Sequence, residues 1–180
     1  MSTCPLCGSE RKRELLTSYP YTESGLSNVI LENVYRVSCE GCDDLDGVEI
    51  PALDKLHRLI VHDLVHAKQR LSGSEIRFLR TFLGWSGKTF AKKLGVEPET
   101  VSRWEHGVSE MMLAYERLLR LYAASGQHDC NYSVEDSEEV EPIRTAARDP
   151  VRLRPANSGW EAPVLQPRAR AYAREACRAP

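Results

Sequence analysis

The stretch from residue 72 to residue 107 constrains the fold most, because its apolar spacing and its glycines predict three short helices in succession. Ser72 and Glu75 have the spacing of a capping box, in which the two side chains satisfy backbone N–H groups at a helix start. Apolar residues then recur on one face. The first of these helices is therefore predicted to begin at about Gly73 and to stop near Gly84.

The other two helices follow with little connecting chain. Ser86 is a helix cap, and Gly95 supplies the left-handed turn conformation that a side chain resists. Pro98 suits the first position of the third helix, which Gly107 closes. The predicted core of this unit consists of Ile76, Leu79, Phe90, Leu94, Val101 and Trp104. Two helices joined by a tight glycine turn, with a flanking helix, are typical of a helix-turn-helix.

The outward residues of this unit predict contact with double-stranded DNA. An arginine near the start of a recognition helix, such as Arg103, can donate two hydrogen bonds to guanine. Glu99 either accepts from a cytosine amino group or orients Arg103. Three helices that merely pack together are the alternative, but the Ser-Arg-Trp-Glu-x-Gly sequence favours DNA binding. The predicted DNA contacts are Lys88, Thr89, Lys92, Glu99, Thr100, Ser102 and Arg103.

Two Cys-x-x-Cys pairs near the start of the chain predict a metal centre. Their members are Cys4, Cys7, Cys39 and Cys42. Each pair places two thiolates on a tight turn, and Gly8 and Gly41 stand where such turns need glycine. Four thiolates complete a tetrahedral shell and leave no position for water or substrate. We therefore expect one structural Zn²⁺ per chain and no catalysis by the metal.

The chain between and after the cysteine pairs predicts two strands and a helix. Residues 14–19 and 28–37 carry the β-branched and aromatic residues of short strands. A sheet this small needs the folding free energy that zinc supplies. Apolar residues spaced for one stripe then predict a linking helix over residues 51–71.

Two weaker motifs suggest enzymes and are rejected. His62 and His66 are spaced as in the His-Glu-x-x-His motif of zinc proteases, but Asp63 is shorter than glutamate and no third ligand is evident. We interpret these histidines as ordinary groups of the helix surface. Ser86-Gly-Lys-Thr89 resembles the end of a phosphate-binding loop, yet Phe82 stands where that loop needs glycine.

The last third of the chain predicts one more helix and then a tail. Residues 110–124 have the spacing of a helix, with Met111, Ala114, Leu118, Leu121 and Tyr122 on or near one side. This helix either caps the preceding three or meets a second subunit. Residues 126–180, acidic at first and then rich in Arg and Pro, are predicted to be a mostly disordered tail containing a short helix at 171–177 and unpaired thiols at Cys130 and Cys177.

Charge is distributed unevenly along a chain whose formal net charge is −2. Residues 1–50 hold 4 basic and 9 acidic groups, whereas residues 70–107 hold 7 basic and 4 acidic groups. The positive charge is thus concentrated where DNA binding is predicted. No apolar run is long enough to span a bilayer and the first residues lack a signal-peptide core, so we expect a cytoplasmic protein without membrane contact.

Several of these segments together resemble the MqsA antitoxin family, which combines a YgiT-type zinc finger with an Xre-type, or λ-repressor-like, helix-turn-helix. The resemblance covers residues 1–124 and is carried by Cys4-Pro-Leu-Cys-Gly, the turn at Tyr19-Pro-Tyr-Thr, Cys39-Glu-Gly-Cys and Val101-Ser-Arg-Trp-Glu-x-Gly. It implies a zinc domain that binds a cognate toxin, usually one that cleaves mRNA. It also implies a homodimer that represses its own operon, with Glu99 and Arg103 at base-contacting positions.

The resemblance and the patterns together predict a small α+β zinc-binding domain over residues 1–50, the linking helix over 51–71, an all-α λ-repressor-like helix-turn-helix domain over 72–125 and the tail over 126–180. The expected function is that of a type II antitoxin and DNA-binding autorepressor. A stand-alone zinc-containing regulator without a toxin is the alternative. An enzyme comes third, because the sequence contains no nucleophile and base set and no open metal site.

Overall fold

The computed structural model describes residues 3–4, 6–42, 46–127, 129, 132–143, 148–157 and 159–162. Within these residues, two small β-sheets lie beside a group of helices. The predicted helix at 171–177 and the thiols of Cys130 and Cys177 lie outside the described residues. None of the helices in the described ranges combines the length and the apolar composition that crossing a bilayer requires.

The first sheet has three antiparallel strands and carries the cysteines at one end. Strands β1 (Arg11–Leu16), β4 (Val34–Cys39) and β5 (Asp46–Glu49) form it, with β4 in the centre. Arg11 lies opposite Cys39, so the strand pairing brings the two cysteine pairs to the same end of the sheet. The sequence predicted strand structure in this region but not β5.

The second sheet is built from parts of the chain that are far apart. Its order is β2 (Tyr19–Pro20), β3 (Val29–Leu31), β6 (Val151–Ala156) and β7 (Gly159–Glu161), and β6 runs parallel to β3. The strand predicted over 28–37 is therefore divided into β3 and β4. Asn33 causes the break, because its φ of 56° is left-handed and cannot continue a strand.

The prediction of a mostly disordered tail is wrong for the part of it that the structure describes. Residues Val134–Glu138 form helix α6, and β6 and β7 form a hairpin. The sequence Val-Arg-Leu-Arg alternates apolar and charged residues, so Val151 and Leu153 turn inward while the arginines turn out. Leu153 is fully buried beside β3. The strand was not predicted, because arginines and prolines of this kind are also typical of disordered segments.

The helices agree closely with the predicted ones in most places. They are α1 (Leu53–His66), α2 (Gly73–Phe82), α3 (Gly87–Leu94), α4 (Pro98–Glu105) and α5 (Leu113–Gln127). The capping box of α2 and the left-handed Gly95 after α3 are present. The core predicted for this region is buried, as are the residues of the second sheet that face it, so one apolar cluster runs through helices and strands.

The linking helix is shorter than predicted, because α1 ends at His66 instead of continuing to residue 71. Ala67, the next residue, is extended. The guanidinium of Arg120 donates hydrogen bonds to the carbonyls of Leu64 and Val65, at 2.9 and 3.0 Å, and to those of Ala67 and Gln69. An arginine of α5 thus satisfies the carbonyl groups that the end of α1 leaves open.

The buried face of α5 differs from the predicted stripe. It carries Glu116, Leu119, Arg120 and Ala123, whereas Leu118 and Leu121 are only half-buried and Ala114 is exposed. Glu116 and Arg120 are buried because they bond each other at 2.8 Å. Apolar periodicity assigns charged residues to the surface, and therefore it misses a charged pair that is satisfied inside the core.

Gly73, the first residue of α2, lies directly against the backbone of the end of α4. A Cβ atom there would lie 2.5 Å from the carbonyl oxygens of Trp104 and Glu105. Gly87 occupies the same position in α3, and a Cβ there would meet nothing within 4 Å. Of these two glycines, Gly73 is therefore the one that the packing of two helices requires.

We expect Gly73→Ala to lower the free energy of unfolding by about 1–3 kcal/mol, since backbone atoms of α2 or α4 must move apart. The matched Gly87→Ala variant should be neutral or stabilised by about 0.4–1 kcal/mol, because alanine restricts the unfolded chain. Urea unfolding of both variants measures the difference. Equal stabilities would contradict the close packing of α2 against α4.

Candidate functional site

The four cysteines of the two Cys-x-x-Cys pairs lie together at the end of the three-stranded sheet. The Sγ atoms of Cys4, Cys7, Cys39 and Cys42 all lie within 4.8 Å of one another. Cys4 and Cys42 are 3.7 Å apart, and Cys7 and Cys39 are 3.3 Å apart. All four are free thiols. The predicted ligands are thus brought together in an arrangement that can hold a metal ion.

Backbone turns hold each cysteine pair in place. Gly8 has a left-handed φ of 75°, and its N–H donates to the carbonyl of Cys4 at 2.9 Å. In the other turn the N–H of Gly41 donates to the Sγ of Cys39 at 3.4 Å. These backbone contacts fix the position of each cysteine pair in its turn.

The thiols of the first pair are acidified by their surroundings. The side chain and backbone of Ser9, followed by Cys39, lower the pKa of Cys7 to about 6. Backbone N–H groups of Cys7 and Leu6 lower the pKa of Cys4, and burial opposes them. At neutral pH the Cys7 side chain is therefore largely a thiolate, which is the form that binds metals.

Gly41 is the point at which the two turns touch. A Cβ on Gly41 would lie 2.0 Å from the Oγ and 2.8 Å from the Cβ of Ser9, and 3.2 Å from the Sγ of Cys7. Gly47 on the edge strand β5 has nothing within 4 Å of such an atom. A side chain at position 41 must therefore displace Ser9 and disturb the turn that carries Cys7.

We expect Gly41→Ala to weaken metal binding about 5- to 150-fold, because displacing the first turn costs about 1–3 kcal/mol. Gly47→Ala is the matched control and should bind as the original chain does. Competition with a zinc chelator measures both affinities. The same affinity in the two variants would contradict the close approach of the turns.

The second predicted site is the outer face of α3 and α4. Lys88, Thr89 and Lys92 on α3 are exposed, as are Glu99, Ser102 and Arg103 on α4, while Thr100 is half-buried. The opposite side of α4 buries Val101 and Trp104. Six of the seven predicted contact residues are therefore exposed, and none of the seven is buried in the core.

Two details distinguish the charged residues of this surface. No ion pair joins Glu99 to Arg103 among the described residues, so the structure does not use Glu99 to orient Arg103. The ammonium group of Lys93, on α3, lies 4.6 Å from the ring centroid of Trp85 and 5.9 Å from that of Tyr122. Lys93 therefore packs against aromatic rings.

The interpretation of His62 and His66 as surface residues is wrong. His62 is 1% exposed and His66 is 10% exposed. Both contact Asp129, which follows α5. Burial, followed by the neighbouring His66, lowers the pKa of His62 to about 4, and Asp129 opposes this shift. Asp129 lies 67 residues from His62 in the chain, so no local pattern in the sequence identifies it as the third partner.

Comparison with known proteins assigns the chain to no group: no protein-family model, curated protein or solved structure matches it.

Proposed function

We propose that the chain is a DNA-binding transcriptional repressor of the antitoxin type, with α3 and α4 acting as a λ-repressor-like helix-turn-helix. The observation that carries this proposal is the two-faced character of α4. Val101 and Trp104 anchor one side in the core, and Ser102 and Arg103 are exposed on the other side. A recognition helix needs this combination of a fixed position and free polar side chains.

The charges of α3 support the same proposal. Lys88 and Lys92 are exposed beside the outer face of α4, where they can contact phosphates while Arg103 reads a base. Few phosphates are neutralised by one such unit, so useful affinity requires a homodimer on a two-fold site. The two half-sites of the operator then lie about 34 Å, or a multiple of this distance, apart.

We further propose that the cysteine cluster binds one structural Zn²⁺ per chain. The Sγ atoms of a tetrahedral zinc site lie about 3.8 Å apart, given Zn–S bonds of about 2.3 Å. The distances of 3.7 and 3.3 Å between the cysteine pairs fit that separation. Cys4, Cys7, Cys39 and Cys42 would hold the ion, which when bound ties the first turn of the chain to the end of β4.

The three-stranded sheet offers a surface for the toxin that the antitoxin proposal requires. Leu15 of β1 and Tyr35 of β4 lie opposite each other and are 50% and 38% exposed. The guanidinium of Arg13 lies 4.2 Å from the centroid of the Tyr35 ring. An apolar pair with an adjacent arginine is typical of protein contacts, and the acidic balance of residues 1–50 suits a basic ribonuclease.

A DNA-binding measurement tests the proposal through the difference between two kinds of side chain. We expect Arg103→Ala to weaken binding to the DNA upstream of the chain's own coding sequence by about 1–3 kcal/mol. Binding to scrambled DNA should change little, because a base contact contributes to discrimination. Lys88→Ala and Lys92→Ala should weaken binding to both DNAs and lower the salt slope by about one each.

Salt titrations of each variant on both DNAs supply the measurement. Arg77→Ala is the matched control, since Arg77 is an exposed arginine of α2 outside the proposed surface. Lys93 is left unchanged because its removal also alters packing against Trp85. An equal loss on the two DNAs for Arg103→Ala would make Arg103 a phosphate contact, and no loss in any variant would refute DNA binding by this face.

The partner is tested separately by expression from the native operon, followed by purification and mass spectrometry. Recovery of a small basic ribonuclease with the chain, and its loss in a Tyr35→Glu variant, supports the antitoxin. DNA binding without any such partner supports the stand-alone regulator instead.

A further inference from the structure

We propose that His62, His66 and Asp129 form a second metal site, distinct from the cysteine cluster, which takes a divalent transition-metal ion such as Zn²⁺. The two histidines lie one turn apart on α1, and therefore their rings share one face of the helix. Asp129 lies just beyond the end of α5 and turns its carboxylate towards both rings.

The distances between the three side chains fit a shared ion. Oδ2 of Asp129 is 3.2 Å from Nδ1 of His62 and 2.9 Å from Nε2 of His66. The three ligand atoms all lie within 4.8 Å of one another. With metal–ligand bonds of about 2.0–2.2 Å, the ligands of a tetrahedral ion are about 3.3 Å apart. Small side-chain movements are enough to admit the ion.

The ligand set indicates which ions the site prefers. Two imidazoles and one carboxylate suit Zn²⁺, Fe²⁺, Ni²⁺ and their neighbours, whereas Mg²⁺ and Ca²⁺ favour oxygen ligands. Three protein ligands leave a further coordination position, unlike the closed set of four cysteines. The slight exposure of His66 provides the approach from solvent that metal exchange needs.

The ligands are held in place by the surrounding chain. The backbone N–H of Asp129 donates to the carbonyl of Ala124 at 3.0 Å, which fixes the aspartate to the end of α5. The ring of Tyr132 packs edge-on against that of His66, with centroids 5.2 Å apart. A site whose members are fixed by packing needs little reordering to bind an ion.

A hydrogen-bonded triad is the metal-free explanation of the same contacts. In it, Nδ1–H of His62 and Nε2–H of His66 both donate to Oδ2 of Asp129. A metal ion requires those two nitrogens as unprotonated ligands, so each ring proton must move to the other nitrogen. The two explanations therefore predict opposite histidine tautomers, and they also predict different metal contents.

Elemental analysis of the full chain, equilibrated with micromolar Zn²⁺ and then freed of excess, tests the proposal. We expect Asp129→Asn and His66→Gln each to retain one zinc fewer per chain than the original. His106→Gln is the matched control, because His106 is an exposed histidine that follows α4 and lies outside the site, and the zinc content of this variant should not change. The difference between chains carries the result, so it holds whatever the cysteines bind.

Histidine-ring ¹⁵N spectra of the unaltered chain give an independent readout that needs no substitution. On zinc addition we expect the nitrogen signals of two histidines to change from the protonated to the metal-bound form, and Mg²⁺ to leave them unchanged. An unchanged spectrum would overturn the proposal and leave the hydrogen-bonded triad. Equal zinc contents in the original chain and in folded Asp129→Asn would overturn it as well.

Discussion

The Cys39→Ser variant is expected to lose its zinc at the cysteine cluster. A serine hydroxyl is a poor replacement for a thiolate, and Cys39 lies at the end of the central strand β4, where it meets Cys7 at 3.3 Å. Binding to a structural site of this kind is worth on the order of 10 kcal/mol of folding free energy in small zinc domains. We therefore expect the three-stranded sheet to melt at temperatures where the helices persist.

The measurement combines zinc content at the cluster with circular dichroism during heating. Cys177→Ser is the matched control, since it makes the same chemical change outside the four clustered cysteines. Its metal content and melting should equal those of the original chain. Undiminished zinc at the cluster in Cys39→Ser would remove Cys39 from the ligand set, and loss of all helical signal would show that the helices depend on the metal.

Local patterns in the sequence were sufficient to predict the cysteine cluster and the helices around α3 and α4. The cysteines are spaced in two short pairs, so that each half of the site is specified by a few neighbouring residues. The capping box at Ser72 and the glycine at position 95 likewise act on the backbone next to them. Such features can be predicted from the sequence because each residue acts on the backbone within one turn of its own position.

The elements that were missed depend on partners far away in the chain. Strand β6 pairs with β3, which lies more than half the length of the chain away in sequence. The alternation of apolar and charged residues in β6 covers only four residues. The burial of His62 follows from Asp129, and the early end of α1 follows from Arg120. No local signal specifies these contacts, because each requires the helices and strands to be packed first.

The second large effect is expected from Glu116→Ala, which removes the carboxylate between two buried guanidinium groups. Glu116 is fully buried and accepts from Arg70 at 2.6 Å, from Arg120 at 2.8 Å and from the backbone N–H of Leu71 at 2.9 Å. Removing one partner of a buried charged network costs about 3–5 kcal/mol, because the remaining charges keep their desolvation cost. We expect urea unfolding to show a decrease of that size in the free energy of unfolding.

Two companion variants separate the charge from the general effect of replacing a glutamate. Glu138→Ala changes an exposed glutamate of α6 and should alter stability by no more than about 0.5 kcal/mol. Glu116→Gln keeps the shape of the side chain and one acceptor oxygen. Its loss of unfolding free energy should therefore fall between those of Glu116→Ala and Glu138→Ala. If Glu116→Ala were no more harmful than Glu138→Ala, the two arginines would not depend on Glu116.

The Glu116 network also tests whether the helices and the cysteine cluster are stabilised separately. Glu116 contacts Arg70 and Leu71 in the segment between α1 and α2, whereas the cysteines contact one another and the turns beside them. Sites without shared partners have additive effects to within about 0.5 kcal/mol. We therefore expect Glu116→Ala to lower the melting temperature of the helices equally in the original chain and in Cys39→Ser. A smaller decrease in Cys39→Ser would mean that the three-stranded sheet supports the helices through their common apolar core.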